Sequence, residues 1–137
     1  MIIPEGFRFS AVACGIRKRE RLDLGLIYCE EKGVAWGVFT ENTQKAAPVI
    51  LGKKYVKNLT HRAIIVNSGV ANACTGDEGI ARAEIVLKEL SQLLQVNKEE
   101  ILPASTGVIG EHLPIEKILP ALSQLVQGLS KENYLSF

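Results

Sequence analysis

The sequence has no surplus of charge and no long apolar run. Its 137 residues contain 16 Lys and Arg against 15 Asp and Glu, a net charge of +1. A nucleic-acid binder needs a cationic face to neutralise phosphates, so this balance argues against such a partner. The longest aliphatic run, residues 63–66, is far shorter than the roughly 20 residues of a membrane span. Residues 1–6 lack the basic and apolar regions of a secretory signal. We therefore expect no nucleic-acid or membrane partner, and a location in the cytoplasm or inside an organelle.

Cysteine is scarce and has no metal-binding spacing. Cys14, Cys29 and Cys74 are odd in number and far apart, and neither His61 nor His112 lies near them in sequence. A structural zinc site needs four closely supplied ligands, so we expect no metal. Free thiols packed as small hydrophobic residues in a reducing compartment are the simpler interpretation. Both histidines are expected to be exposed polar residues.

The length suits one domain or part of one, and we expect residues 1–137 to form a single domain portion. Three early segments, 7–16, 22–29 and 34–40, are rich in β-formers or small residues and end at charged or glycine turns, so they predict strands. The basic run at 17–21 predicts an exposed turn rather than a nucleic-acid patch, because acidic residues lie within and beside it.

The rest of the chain alternates strands and helices. Residues 63–66 predict a strand covered on both faces. The spacing of Thr75 and Glu78 predicts a capping box at the start of a long amphipathic helix that ends near 96–97. Residues 101–105 predict a further strand, and Pro103 within them favours an edge of the sheet or the end of a strand.

Pro114 suits the first position of a further helix, and Pro120 should kink or split that helix. Strands followed by alternating strand and helix indicate a layered α/β or α+β fold.

The first candidate ligand loop, 67–76, follows an apolar strand and leads into a helix. Glycine and small residues allow a ligand to approach the backbone, and asparagine side chains can hydrogen-bond it. Asn67, Ser68, Gly69 and Asn72 are therefore candidate binding residues. The pattern is neither a dinucleotide fingerprint nor a Walker A loop. The alternative is a structural loop whose asparagines form turns.

The second candidate loop, 105–110, contains two adjacent hydrogen-bond donors. A Thr106 hydroxyl and a Gly107 amide can stabilise the negative charge that develops on a carbonyl oxygen under nucleophilic attack. The alternative is an ordinary Thr-Gly turn. Ser68, Ser105 and Thr106 are candidate nucleophiles, and His112 with its acidic neighbour is a candidate acid–base pair, but no catalytic triad can be assembled from sequence alone.

Five segments in order resemble one family. They are Pro4-Glu5-Gly6-Phe7, Gly37-Val38-Phe39-Thr40-Glu41-Asn42, Lys45-Ala46-Ala47-Pro48-Val49, Asn67 to Gly76, and Ala104-Ser105-Thr106-Gly107-Val108-Ile109-Gly110. Together they are similar to the N-terminal part of the α chain of ornithine acetyltransferase, the bifunctional glutamate N-acetyltransferase family of arginine biosynthesis.

The resemblance implies a precursor that cuts itself into α and β chains within a layered, N-terminal-nucleophile-like fold. A threonine at the start of the β chain would be the nucleophile, and it would carry acetyl from N-acetylornithine to glutamate in a ping-pong cycle. Thr106 and Gly107 would form the oxyanion hole. The family implies an α2β2 assembly and no resident cofactor, with acetyl-CoA as a co-substrate in some members.

Two departures qualify the resemblance. Val70 stands where the family usually has asparagine, and the Ala-Thr-Met cleavage motif is absent from the chain. We therefore expect this chain alone to be inactive. Two alternatives remain open, namely a related self-processing amidohydrolase or aminopeptidase, and a non-catalytic small-molecule-binding fragment.

Overall fold

A computed structural model describes residues 3–18 and 21–137 of the chain. The described residues form four strands, three α-helices and two short 3₁₀ helices. The strands are β1 (Phe7–Val12), β2 (Leu24–Gly33), β3 (His61–Val70) and β4 (Ile101–Val108), the α-helices are α1 (Ala47–Tyr55), α2 (Gly76–Leu94) and α3 (Ile115–Gln127), and the 3₁₀ helices are Lys98–Glu100 and Glu132–Leu135. The mixed helix and strand content confirms the expected fold class.

The four strands form one sheet in the order β1-β2-β3-β4. β1 and β2, and β2 and β3, pair antiparallel, whereas β3 and β4 pair parallel. A parallel pair needs a crossover connection, and α2 provides it. β4 is an edge strand, as the proline within it predicts. The carboxyl ends of β3 and β4 therefore lie side by side.

The apolar core lies between the helices and one face of the sheet. Large side chains from every layer are fully buried there, and they include Leu26, Leu51, Leu87, Leu90, Ile101, Ile118, Leu122 and Leu125. In β3 the pattern alternates, since Ile65 is 5% exposed and Ile64 is 38% exposed. The expectation that residues 63–66 are covered on both faces is therefore wrong at Ile64 for the part of the chain that the structure describes.

The predicted strand at 34–40 is wrong. These residues have no regular secondary structure, and the side chains of Val34, Trp36 and Val38 are 88%, 86% and 83% exposed. The chain leaves the sheet after Gly33, so its alternating apolar residues have no strand to pair with. Instead, a helix that the pattern did not predict, α1, begins at Ala47 with a proline in its first turn.

The long helix α2 is confirmed, but its capping box is not. Thr75 occupies the N-cap without a side-chain cap bond, because its hydroxyl donates to Asn72 Oδ1 at 2.8 Å instead. The helix ends when Gln95 adopts the left-handed conformation, with φ 55°. Asn97, expected to end this helix, caps the next 3₁₀ helix together with Glu100.

Other predicted bounds shift by a few residues. β1 is shorter than predicted, whereas β2 and β4 run on to Gly33 and Val108. α3 continues through Pro120 and is not split. The predicted turn at 17–21 is exposed at its described residues, while positions 19 and 20 lie outside the described residues. No described helix combines the length and the apolar character that crossing a membrane requires.

Candidate functional site

The parallel pairing of β3 and β4 brings the two predicted loops together. Ser68 is the strand partner of Thr106, and Gly69 is the strand partner of Gly107. These residues belong to the ends of the strands rather than to loops. Ligand sites form readily at the carboxyl ends of neighbouring parallel strands, where the flanking segments diverge. Residues 38 positions apart in sequence, such as Asn67 and Ser105, which share a hydrogen bond, therefore lie side by side at the carboxyl ends of β3 and β4.

Thr106 and Gly107 are exposed on an open cleft of about 580 Å³ at the carboxyl ends of β3 and β4. The cleft is lined by Ile16, Arg17, Lys18, Ser68, Gly69, Thr106, Gly107 and Val108. Thr106 and Gly107 thus border a space that a ligand can enter. β4 is the edge strand, so alternate amides along it have no strand partner on their outer side.

Backbone contact at Gly107 fixes the shape of the cleft. Gly107 has a φ of 134°, and a Cβ atom there would lie 2.2 Å from the carbonyl carbon of Gly69. Its partner Gly69 has a φ of 107°, and Ile16 and Arg17 pack over the space that its side chain would occupy. Only glycine suits both the dihedral angle and the contact at position 107.

Asn67 ties β3 to β4 directly behind the cleft. Its buried Oδ1 accepts a hydrogen bond from the Ser105 hydroxyl at 2.6 Å, and its Nδ2 donates to the carbonyl of Val70 at 2.8 Å. The Ser105 hydroxyl therefore donates to an amide oxygen, which is too weak a base to activate a nucleophile. Val70 itself is buried, so the side chain that departs from the family pattern faces the interior.

Asn72 is fully buried and links three parts of the chain. Its Oδ1 accepts from Thr75, its Nδ2 donates to the Gly79 carbonyl at 2.9 Å, and its own carbonyl accepts from the Ala47 amide at 3.0 Å. It adopts a φ of 49°, which asparagine tolerates better than most residues. Of the four candidate binding residues, Ser68 and Gly69 line the cleft, whereas the Asn67 and Asn72 side chains point into the fold.

Asp23 holds the other wall of the cleft, and the sequence analysis missed it. Its Oδ1 accepts from the Cys14 amide at 2.7 Å, its Oδ2 accepts from the Arg17 amide at 2.9 Å, and its carbonyl accepts from the Ser68 amide at 2.9 Å. In the sequence, the only indication of this role was a single carboxylate directly before the apolar residues that begin β2. A buried carboxylate in that position needs several donors.

The pKa values of Asp23 and Cys14 reflect this arrangement. Burial opposes ionisation of Asp23, but the amides of Arg17 and Cys14 outweigh it and hold the pKa of the carboxyl below its usual value. Burial, with a contribution from the neighbouring carboxylate, raises the pKa of the Cys14 thiol to about 12. The thiol therefore stays protonated at neutral pH.

We expect Asp23→Asn to lower the free energy of unfolding at pH 7. The pKa of Asp23 is lower in the folded protein than in the unfolded chain, where it is about 3.9. The ionised carboxylate therefore contributes fully to the free energy of unfolding above about pH 3.9. This contribution is lost as the pH falls through the pKa of the folded protein. Urea unfolding should thus show a larger difference between wild type and variant at pH 7 than near pH 3. Glu31→Gln, which changes an exposed carboxylate, is the matched control, and an equal effect of both variants would contradict the assignment.

Two expectations about isolated polar residues are wrong. His61 is buried rather than exposed, because its Nε2 lies 3.0 Å from the carbonyl oxygen of Tyr55 at the end of α1. Cys74 is exposed rather than packed inside, at a φ of 57° beside the start of α2. His112 is exposed as expected, and its Nε2 lies 3.5 Å from the carboxylate of Glu78 rather than pairing with its own sequence neighbour.

Comparison with known proteins identifies the family. The model of the ArgJ family matches residues 8–136. The arginine biosynthesis bifunctional protein ArgJ of Caldanaerobacter subterraneus is 46% identical over 131 residues, covering 96% of this chain and 32% of that protein. Its Thermotoga neapolitana counterpart is 46% identical over 134 residues, covering 96% of this chain and 34% of that protein. The chain thus spans about a third of the length of these curated relatives.

Solved structures agree with the sequence comparison. Ornithine acetyltransferase from Mycobacterium tuberculosis, crystallised with ornithine, superposes with a TM-score of 0.89 at 38% identity, covering 93% of this chain and 69% of that one. The ArgJ protein of Bacillus halodurans superposes with a TM-score of 0.83 at 33% identity, covering 90% and 68%. The fold and the resemblance seen in the motifs are thereby confirmed, and the chain belongs to the ArgJ family.

Proposed function

We propose that the complete protein is an acetyltransferase of arginine biosynthesis and that this chain supplies its oxyanion hole. The observation that carries the proposal is the position of Thr106 and Gly107, adjacent donors exposed on a cleft at the carboxyl ends of β3 and β4. Support comes from family membership and from the names of the relatives, which are arginine biosynthesis proteins. The related M. tuberculosis structure, described as an ornithine acetyltransferase, contains ornithine.

The proposed reaction has two acyl-transfer steps. A threonine at the start of the β chain attacks the acetyl carbonyl of N-acetylornithine, and the oxygen becomes an oxyanion held by Thr106 and Gly107. On attack, the threonine hydroxyl gives its proton to the α-amino group of the same threonine. Collapse of the intermediate breaks the amide bond, and the departing nitrogen takes that proton and leaves as the amine of ornithine. Glutamate then attacks the acetyl ester through its amine, passes through a second oxyanion, and leaves as N-acetylglutamate. The threonine regains its proton.

The proposal assigns partners to this chain. A β chain from the same precursor would bring the nucleophile, two αβ units would associate as α2β2, and acetyl-CoA would serve as an alternative acetyl donor, with no resident cofactor. The reaction would take place in the cytoplasm, a reducing compartment that suits the free thiols Cys14, Cys29 and Cys74. Without the β chain, this chain would turn over no substrate.

We expect Thr106→Ala in the complete enzyme to lower kcat for acetyl transfer by about 10²-fold, the usual effect of removing one oxyanion donor. Thr106→Ser keeps the hydroxyl and is the matched control, with kcat close to that of wild type. The assay follows labelled glutamate into N-acetylglutamate. A kcat that is unchanged in the alanine variant would remove the oxyanion assignment, and release of free acetate without labelled N-acetylglutamate would replace transfer by hydrolysis.

A further inference from the structure

We propose that Arg17 binds the α-carboxylate of the amino-acid substrates, beside the oxyanion donors. This inference rests on the proposed function and adds a specificity-determining residue to the same site. Arg17 belongs to the basic run that the sequence analysis interpreted as a solvent-exposed turn, and it lines the cleft together with Thr106 and Gly107.

The stem of the Arg17 side chain lies over Gly69. A Cβ atom at Gly69 would be 3.0 Å from Arg17 Cγ, so the absence of a side chain at Gly69 is what leaves room for the arginine. Gly69 is in turn the strand partner of Gly107, and their backbones are in contact. The arginine therefore extends from a position next to the proposed oxyanion hole.

The backbone that carries Arg17 is anchored at several points. Asp23 accepts the amides of Cys14 and Arg17, and Lys117 Nζ donates to the carbonyl of Gly15 at 2.9 Å. These bonds tie the segment to the start of β2 and to α3. A binding group held by an ordered backbone loses less conformational entropy when its ligand arrives.

The electrostatic surroundings favour an anionic ligand. Among residues 3–18 and 21–137, the charged side chains that line the cleft are cationic, namely those of Arg17 and Lys18. Within the part of the chain that the structure describes, Arg17 is in no ion pair. The nearby Asp23 directs both carboxylate oxygens to backbone amides rather than to the guanidinium.

The chemistry of the substrates selects which anion is bound. In an N-acetylated α-amino acid, only the nitrogen and Cα separate the acetyl carbonyl carbon from the carboxylate carbon. A group that recognises this carboxylate must therefore lie next to the donors that hold the carbonyl oxygen, as Arg17 does. N-acetylornithine and glutamate share the α-carboxylate and differ in the charge at the far end of the side chain. A planar guanidinium can pair with a carboxylate through two parallel hydrogen bonds, so Arg17 would serve both half-reactions.

The test compares N-acetylornithine with its α-carboxamide in the complete enzyme. We expect Arg17→Ala to lower kcat/KM for N-acetylornithine by about 10- to 100-fold, the usual effect of losing a charge-assisted hydrogen bond, and to leave kcat/KM for the carboxamide unchanged. Arg17→Lys, which keeps the charge but not the planar fork, should give an intermediate loss. Arg21→Ala removes a positive charge from an exposed position four residues away and should change neither value.

The ratio of the two kcat/KM values is the decisive quantity, because it does not depend on the fraction of correctly folded enzyme. A ratio that is the same in wild type and Arg17→Ala would overturn the assignment, as would a loss confined to reactions that start from acetyl-CoA. If wild-type enzyme shows no transfer from N-acetylornithine, the proposed function fails and this inference fails with it. If wild type is active and the ratio is unchanged in the variant, the Arg17 assignment alone fails.

Discussion

Gly107→Ala is expected to abolish acetyl transfer, with kcat reduced by at least about 10³-fold. A methyl group at this position would lie 2.2 Å from the carbonyl carbon and 2.4 Å from the carbonyl oxygen of Gly69. Both atoms belong to the backbone, so no side-chain rotation can relieve the overlap. The ends of β3 and β4 would have to separate, and the Thr106 hydroxyl and the amide at position 107 would move away from the oxyanion together.

Gly110→Ala is the matched control for this prediction. Gly110 also has a positive φ, 85°, but no atom lies within 4 Å of the place where its Cβ would be. Alanine at position 110 has about 1 kcal/mol of backbone strain from the positive φ, but its methyl group overlaps no other atom. This variant should therefore retain most of its activity. Steady-state kinetics of acetyl transfer, with circular dichroism to monitor folding, separates the two variants. A Gly107→Ala enzyme with kcat near that of wild type would contradict the close contact.

Asn72→Ala should cause the largest loss of stability, about 3 kcal/mol in the free energy of unfolding. The substitution leaves the buried carbonyl of Gly79 and the hydroxyl of Thr75 without their partner. It also places alanine at a φ of 49°, where a Cβ atom is strained. Chemical denaturation of the purified protein measures the change.

Asn72→Gly separates the two contributions. Glycine adopts the left-handed conformation without strain but makes neither side-chain hydrogen bond, so this variant should be more stable than Asn72→Ala by about 1 kcal/mol. Equal stability of the two variants would show that backbone strain contributes nothing. A wild-type free energy of unfolding for Asn72→Ala would contradict the structural role of the side chain altogether.

Much of the sheet and of α2 could be predicted because their patterns are local and strong. The short apolar run at 63–66 is typical of a strand, and the periodic stripe along α2 arises from residues that share one face of that helix. The edge position of β4 followed from Pro103, which cannot donate to a neighbouring strand. In these cases the local sequence pattern and the packing of the folded chain favour the same secondary structure.

The failures occur where packing between distant residues decides the outcome. Residues 34–40 alternate like a strand, but a strand requires a neighbour, and sequence does not show that the chain leaves the sheet after Gly33. α1 is short and starts with small residues, so it has little helical periodicity of its own. It depends on burying Leu51 and Tyr55 against the other layers.

The candidate site was also easier to predict where its residues are adjacent in sequence than where they come from distant segments. From the residues alone, the donors at 106 and 107 were one of two interpretations of a Thr-Gly pair, and the family resemblance favoured them; both residues line a cleft. The residues that hold the cleft together were not identified, because Asp23 and Arg17 acquire their roles from segments distant in sequence. Ser105 was a candidate nucleophile for its hydroxyl alone, and the Asn67 side chain to which that hydroxyl donates lies on another strand.

The close backbone contact between Gly69 and Gly107 limits how this cleft can change. A Cβ atom at position 107 would overlap the backbone of Gly69, whereas a Cβ atom at position 69 would meet the side chains of Ile16 and Arg17. Any change in the shape of the cleft must therefore come from the residues that surround this contact. The cleft therefore combines one position that only glycine can fill with side chains, such as those of Lys18 and Val108, that are exposed to solvent.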